Sequence, residues 1–207
     1  MQLNEKQLQI IAVAEKLFAE NGFTGTSVRN IAKEAGINVA MISYYFGSKE
    51  KLLEKMVVYR MANFKIDLIS VIDQEDTSYI ERLDQLITLF VNRIHENQRI
   101  YKIIHTELSK DSACLTFEHY IDQKKENYKT LESFVLKGQK ADVFKENVEI
   151  PLIIPTLIGV YFHFNYNQEY FNQLYLIKNA KQTDSFVKTT LTKHIQTTLK
   201  ALLTYEN

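Results

Sequence analysis

The stretch Thr26–Leu52, TSVRNIAKEAGINVAMISYYFGSKEKL, admits few folds, because it spells two short helices with a turn between them that forces a close crossing. Thr26 or Ser27 supplies a hydroxyl to cap the first helix. Val28, Ile31, Ala32 and Ala35 then fall at i, i+3, i+4 and i+7, a narrow apolar face. Ala35 is small enough for a second helix to cross near it, Gly36 can take the left-handed conformation that stops a helix, and Ile37 fills the angle between the two. Asn38 caps a second helix, with Ile42 and Phe46 inward and the small or weakly polar Ala40, Ser43 and Tyr44 outward. After Gly47, Ser48 caps a third. Lys49 stands in its first turn, where a cation opposes the helix dipole and an external anion would relieve the conflict.

Around this helix-turn-helix, Ala14, Leu17, Phe18, Gly22, Phe23, Thr26, Ser27, Val28, Ile31, Ala32, Ala35, Gly36, Ile37, Tyr45, Phe46, Lys49, Leu52 and Leu53 follow one another at a spacing that needs no gaps to match a known pattern. On these positions the run from Ala14 to Leu53 resembles the DNA-binding domain of the TetR family of bacterial transcriptional regulators. The resemblance implies an all-α chain: a helix-turn-helix DNA-binding domain over residues 1–48 and a helical effector-binding and dimerisation domain over 49–207. It also implies a homodimer on a palindromic double-stranded operator. Two long C-terminal helices would pair across the two-fold axis through Leu157, Ile158, Val160, Phe162, Val187, Leu191, Ile195, Leu199 and Leu202. By position in the motif, Val39, Ala40 and Met41, just after the cap Asn38, lie nearest the base edges, and Arg29 can reach a guanine. Thr26, Ser43, Tyr44, Tyr45 and Lys49 fall where the family contacts phosphates. The family usually carries Tyr where this chain has Ser43, so that contact is shortened or passes to Tyr44. Since Val39, Ala40 and Met41 offer no strong hydrogen bonds, thymine-methyl contacts and DNA shape are expected to carry much of the readout.

Several of these residues have competing roles. Tyr45 and Val39 lie within about a sixth of a turn of Ile42 and can serve as core. Lys49 can be merely solvated, and Arg29 can pair with Glu34.

Charge alone does not point to DNA. The net charge is zero, and the first 60 residues hold eight Lys and Arg against six Asp and Glu, a local +2. Binding would then depend on a few placed cations and still weaken with salt through counterion release. No apolar run is long enough to span a bilayer, and MQLNEKQLQ lacks the regions of a signal peptide, so a cytoplasmic location without membrane association is expected. A lone Cys114 and five scattered His residues form no zinc pattern, triad or phosphate loop. No metal, cofactor or enzymatic activity is expected.

The rest of the chain reads as helices, about nine in all. One begins at Asn4 with a capping box to Gln7 and ends at Asn21–Gly22. Another is continuous over 49–72, then come a polar loop at Asp73–Ser78 and helices over 79–96 and 98–108. Further helices are expected over 113–136, stopped at Gly138, over 151–172 with a late start or a bend at Pro155, and over 185–204 after a loop at Lys178–Asp184. Aromatics punctuate this C-terminal part. Phe64, Phe90, Tyr101, Phe117, Tyr120 and Tyr161 are candidates to line a pocket for a largely apolar or aromatic small-molecule effector, with His105, His163 and Asn165 as its polar groups. For each aromatic, plain core is the competing role. The expected function is a ligand-responsive repressor that leaves its operator when the fourth helix swings. A helical dimeric adaptor or activator that recruits a protein partner is the alternative.

Overall fold

The computed structural model describes residues 3–109 and 118–205. Among these every regular element is helical: α1 Glu5–Gly25, α2 Val28–Glu34, α3 Val39–Phe46, α4 Lys49–Met61, α5 Phe64–Ile72, α6 Tyr79–Glu96, α7 Gln98–Leu108, α8 Glu118–Lys140, α9 Ile153–Tyr166, α10 Gln168–Leu174, α11 Ala180–Phe186 and α12 Thr192–Leu203. None of these helices is long and apolar enough to cross a membrane. Packing divides the chain into two compact units: Met1–Ala62 with Asn97–Lys124, and Asn63–Glu96 with Lys125–Asn207. The first unit therefore contains α4 and α7 in addition to the expected 1–48.

The first unit is built on α1. Asn4 Oδ1 accepts from the Gln7 backbone N–H at 2.9 Å while the Asn4 N–H donates to Gln7 Oε1 at 3.0 Å, the reciprocal capping box the sequence spells. Gly22, at φ 74°, interrupts the helix as expected. A further turn follows that buries Phe23 against Phe18, ring centroids 5.3 Å apart. One core joins Ile10, Ile11, Ala14 and Phe18 to Ile31 of α2, Ile42 and Phe46 of α3, Leu52, Leu53 and Met56 of α4, and Ile100, Ile103 and Ile104 of α7. A three-helix head is too small to bury much by itself, and α4 and α7 supply what it lacks. Arg60 of α4 donates to the buried Glu15 carboxylate of α1 at 2.7 Å, so the one acid on the inner side of α1 has its cation.

In the second unit α6 packs against α5, α9 and α12. Its expected stripe, Leu83, Leu86, Ile87, Val91 and Ile94, is buried. Three expected helices are divided. The 49–72 helix breaks at Asn63, which adopts φ 68°, and the 151–172 helix breaks at Asn167. The last begins earlier than expected: Asn179 Oδ1 accepts from the Gln182 N–H at 3.0 Å and starts α11 inside the expected loop, and a π-helical turn, Val187–Leu191, joins α11 to α12. Pro155 is accommodated because it falls in the first turn of α9, where an N–H would have little to bond. Residues 110–117, including the start of the 113–136 helix, lie outside the described residues.

Two further expectations are corrected. Gly138 does not end α8; it lies inside the helix, where an added Cβ would come within 2.2 Å of the buried Phe144 ring. The apolar residues assigned to the dimer interface are mostly internal: Leu157, Phe162, Val187, Leu191, Ile195 and Leu199 are buried within the chain, and only Leu202 is exposed, with Ile158 and Val160 intermediate.

Gly138→Ala tests which effect governs at that position. Helix propensity favours alanine by about 1 kcal/mol, but overpacking a filled core costs about 1–3 kcal/mol. The buried Phe144 ring cannot retreat into solvent, so urea denaturation should show net destabilisation, partly relieved when Phe144→Leu is added.

Candidate nucleic-acid interface

The turn between α2 and α3 closes as its residues dictate. Gly36 takes φ 63°, its N–H bonds to Lys33 O at 3.2 Å and the Ile37 N–H to Ala32 O at 3.0 Å, while Ile37 packs against the core. This paired motif satisfies the last carbonyls of α2 and sets the direction of exit. Ser27 Oγ accepts from the Asn30 N–H at 3.1 Å and Asn38 Oδ1 from the Ala40 N–H at 2.9 Å, so both helices start on side-chain caps.

With Ile42 and Phe46 buried, α3 presents Asn38, Val39, Ala40, Ser43 and Tyr44 outward. Tyr44 is 83% exposed, its ring edge-on to Tyr45 at 5.1 Å. Met41 and Tyr45 are half-buried, and Tyr45 packs against the core of the first unit. Arg29 is exposed on α2. Its suggested partner Glu34 is held instead by Lys16 at 3.0 Å, and among the described residues Arg29 makes no ion pair.

Two phosphate candidates are placed otherwise than expected. Thr26 is 1% exposed, and its hydroxyl lies 2.9 Å from Gly22 O and 3.1 Å from Leu17 O. Its side chain therefore closes the irregular end of α1 rather than facing solvent. Lys49 is half-buried and turns back: Nζ donates to Phe23 O at 2.9 Å and Thr26 O at 3.0 Å and sits 4.2 Å from the Phe23 ring centroid. The dipole conflict read from the sequence is real, but it is relieved by carbonyl oxygens of the same chain. The N-terminus of α4 also carries its own anion. Backbone and Ser48 hydrogen bonds, with Lys49 nearby, hold the Glu50 carboxyl below the usual carboxylate range.

Three other residues act in the same way, and the sequence offered no local pattern for them. Lys55 Nζ donates to Tyr45 O at 3.1 Å at the end of α3, Gln9 Nε2 to Ala35 O at 2.9 Å at the end of α2, and Lys102 Nζ to Ala19 O at 3.0 Å near the end of α1. The only available signal was chemical: each short helix leaves carbonyls unpaired at its C-terminal end, and some side chain must come to them.

The expected effector residues fall in both units. Tyr101 and Tyr120 pack against the core of the first, where His105 is exposed; Phe64, Phe90, Tyr161, His163 and Asn165 belong to the second; Phe117 lies outside the described residues. In the second unit Phe64 and Phe90 meet edge-on at 4.8 Å. Tyr161 is fully buried, its hydroxyl 3.0 Å from His95 Nδ1, and burial pushes that phenol well above its ordinary pKa. His95, which no local spacing singles out, is thus the polar partner beside Tyr161, with Asp184 at 3.3 Å on its other ring nitrogen. His163 is exposed, its ring against Phe171.

A sequence model of the bacterial regulatory proteins of the tetR family matches residues 10–56, the span from the inner face of α1 into α4. The Bacillus subtilis (strain 168) protein named "Probable HTH-type transcriptional regulator YttP" is 31% identical over 185 residues, covering 81% of this chain and 86% of that one. Among solved structures, HlyIIR, a hemolysin II transcriptional regulator, superposes with a TM-score of 0.65 at 26% identity over 98% of both chains. The fold is also that of FadR from Bacillus subtilis in complex with stearoyl-CoA, with a TM-score of 0.63 at 21% identity over 91% of this chain and 96% of that one.

The hydrogen bonds at the end of α1 give a direct test. Thr26→Val keeps the shape but removes the donor, and Lys49→Met keeps most of the stem. Each should lower the stability of the folded protein by about 1–3 kcal/mol, because carbonyls in a half-buried site lose their partner. Denaturation in the absence of DNA reads this out.

Proposed function

The chain belongs to the TetR family of bacterial regulatory proteins, and from that premise we propose that it is a repressor released from a palindromic operator when a small molecule binds its second unit. The DNA-binding step rests on one observation: a clamped helix-turn-helix holds α3 with Asn38, Val39, Ala40, Ser43 and Tyr44 facing solvent and Arg29 beside them without an ion pair among the described residues. An α-helix of this width fits the major groove of B-DNA. Ser43, Tyr44 and Arg29 are the groups for phosphates and a guanine, and Tyr45 contributes its hydroxyl from a ring that is otherwise packing. Lys49 and Thr26 serve by holding the head together.

Two copies about a two-fold axis would offer α3 to successive major grooves, about 34–36 Å apart. With six of the expected interface residues buried internally, Leu152, Tyr166, Tyr170 and Leu202 are the large exposed apolar groups left on those segments for a partner copy. The effector we read as a large, mainly apolar molecule. FadR, which shares the fold, holds stearoyl-CoA, and we read the Phe64–Phe90 pair and the Tyr161–His95 pair of the second unit as the apolar and polar groups such a molecule would meet, with Asn165 near the latter in sequence. Shifting a two-state regulator from 99:1 to 1:99 requires the effector to prefer the released conformer by about 10⁴-fold.

Arg29→Ala should weaken binding, by about 1–3 kcal/mol, to genomic fragments that the wild-type protein enriches, and should relax the preference for the guanine that Arg29 reaches. Unchanged affinity with an unchanged base preference removes Arg29 from the interface. Fatty acyl-CoAs of increasing chain length, titrated into the preformed complex and followed by fluorescence anisotropy, should release the duplex more effectively as the chain lengthens. Release that is absent at every length rules out this effector class.

A further inference from the structure

We infer that the part of each operator half-site facing α3 is a run of A·T pairs read through thymine methyl groups rather than through base hydrogen bonds; this deepens the regulator reading above and rests on it. Base identity in the major groove is read by a small set of side chains: Arg or Lys on guanine, Asn or Gln on adenine, Asp or Glu on cytosine, and apolar groups on the thymine methyl. The helix VAMISYYF contains none of the first six. The cap preceding it, Asn38, is held to the helix end: its Oδ1 accepts from the Ala40 N–H at 2.9 Å, which fixes the amide against the backbone it caps instead of leaving it to turn onto an adenine.

What α3 does expose at its start is methyl surface, Val39 at 38% and Ala40, with Met41 half-buried behind them. Ser43 and Tyr44, one turn later on the same face, each carry a single rotatable hydroxyl, which suits a phosphate oxygen and, able to donate or accept, discriminates little between bases. A G·C pair placed against Val39 and Ala40 would lose water from its O6 and N4 groups and find no replacement partner, whereas a thymine presents a methyl to a methyl. Both terms favour A·T at the same positions. The methyl contact alone should be worth about fourfold in affinity per thymine, the burial of one such group.

The test begins with selection of bound duplexes from a random pool by the full-length protein, followed by replacement of each selected thymine with deoxyuridine, which deletes the methyl and leaves every hydrogen-bonding atom. The expected result is A·T enrichment at contiguous positions in each half-site and a loss of about fourfold at individual thymines. Val39→Ala should abolish that loss at one position and leave it at the others. Enriched G·C pairs at those positions overturn the inference. So does A·T enrichment indifferent to deoxyuridine, which would assign the preference to groove shape. A pool with no enriched duplex overturns the regulator reading itself, and the inference with it.

Discussion

The geometry of the head depends on the carbonyl ends of its helices. Each helix leaves its last carbonyls without an internal partner, and α1, α2 and α3 finish within a short span of chain around a small core. Backbone turns close part of the deficit, as at Gly36, Thr26 closes the end of α1 from its own cap position, and side chains from other helices close more: Lys49 at α1, Gln9 at α2, Lys55 at α3. Two of these ends, those of α1 and α3, also attract cations, since the C-terminus of a helix carries partial negative charge; Lys102, near the end of α1, is the third lysine so used. Each bond from Lys49, Gln9, Lys55 or Lys102 ties two helices at a fixed point, so the groups that repair the backbone also constrain how the helices cross. Apolar contacts alone would let short helices slide over one another; directional bonds do not.

Much of this was legible because helix starts are encoded locally. Asn4, Ser27, Asn38, Ser48 and Asn179 each cap through their own side chain, and the bounds of α6 and α7 follow from periodicity and polar breaks. Asn179 nonetheless has the pattern of a loop, because the polar run after it lacks the apolar stripe that marks a helix in sequence. Helix ends and interruptions were harder. A glycine near the end of a periodic stretch reads as a stop, yet Gly138 is required by a phenyl ring arriving from six residues further on. Periodicity across 49–72 is unbroken in the sequence, so nothing local announced the left-handed Asn63.

The candidate site divides along the same line. The outward face of α3 followed from the inward positions of Ile42 and Phe46, since a helix buried on one side must expose the other. Thr26 and Lys49 could not be placed that way, because whether a polar group faces solvent or a carbonyl is decided by the partner that reaches it. The same holds for the C-terminal stripes. Leu157, Val187, Ile195 and Leu199 announce a buried face without saying against what, and α6 turns out to be the surface that α9 and α12 share. The aromatics scatter over both units for a related reason: spacing along a helix marks a face and carries no address.

A reading helix without charged side chains places a particular demand on this scaffold. Where arginine or asparagine reads a base, one bidentate pair is worth about 1–3 kcal/mol and tolerates some play in the helix because the side chain can follow its target. Methyl contacts are each weaker and have no reach, since Val39 and Ala40 are short. Their sum is realised only if α3 arrives in one position and one orientation, and every conformer that must be frozen out on binding subtracts from it. Stiffness prepared in the free protein removes that cost beforehand. On this argument the lysines at the helix ends and the neutral reading face belong together. A near-neutral protein with a weakly polar recognition helix gains selectivity from rigidity, and it places Lys49 and Lys55 against its own carbonyls rather than extending them toward a phosphate.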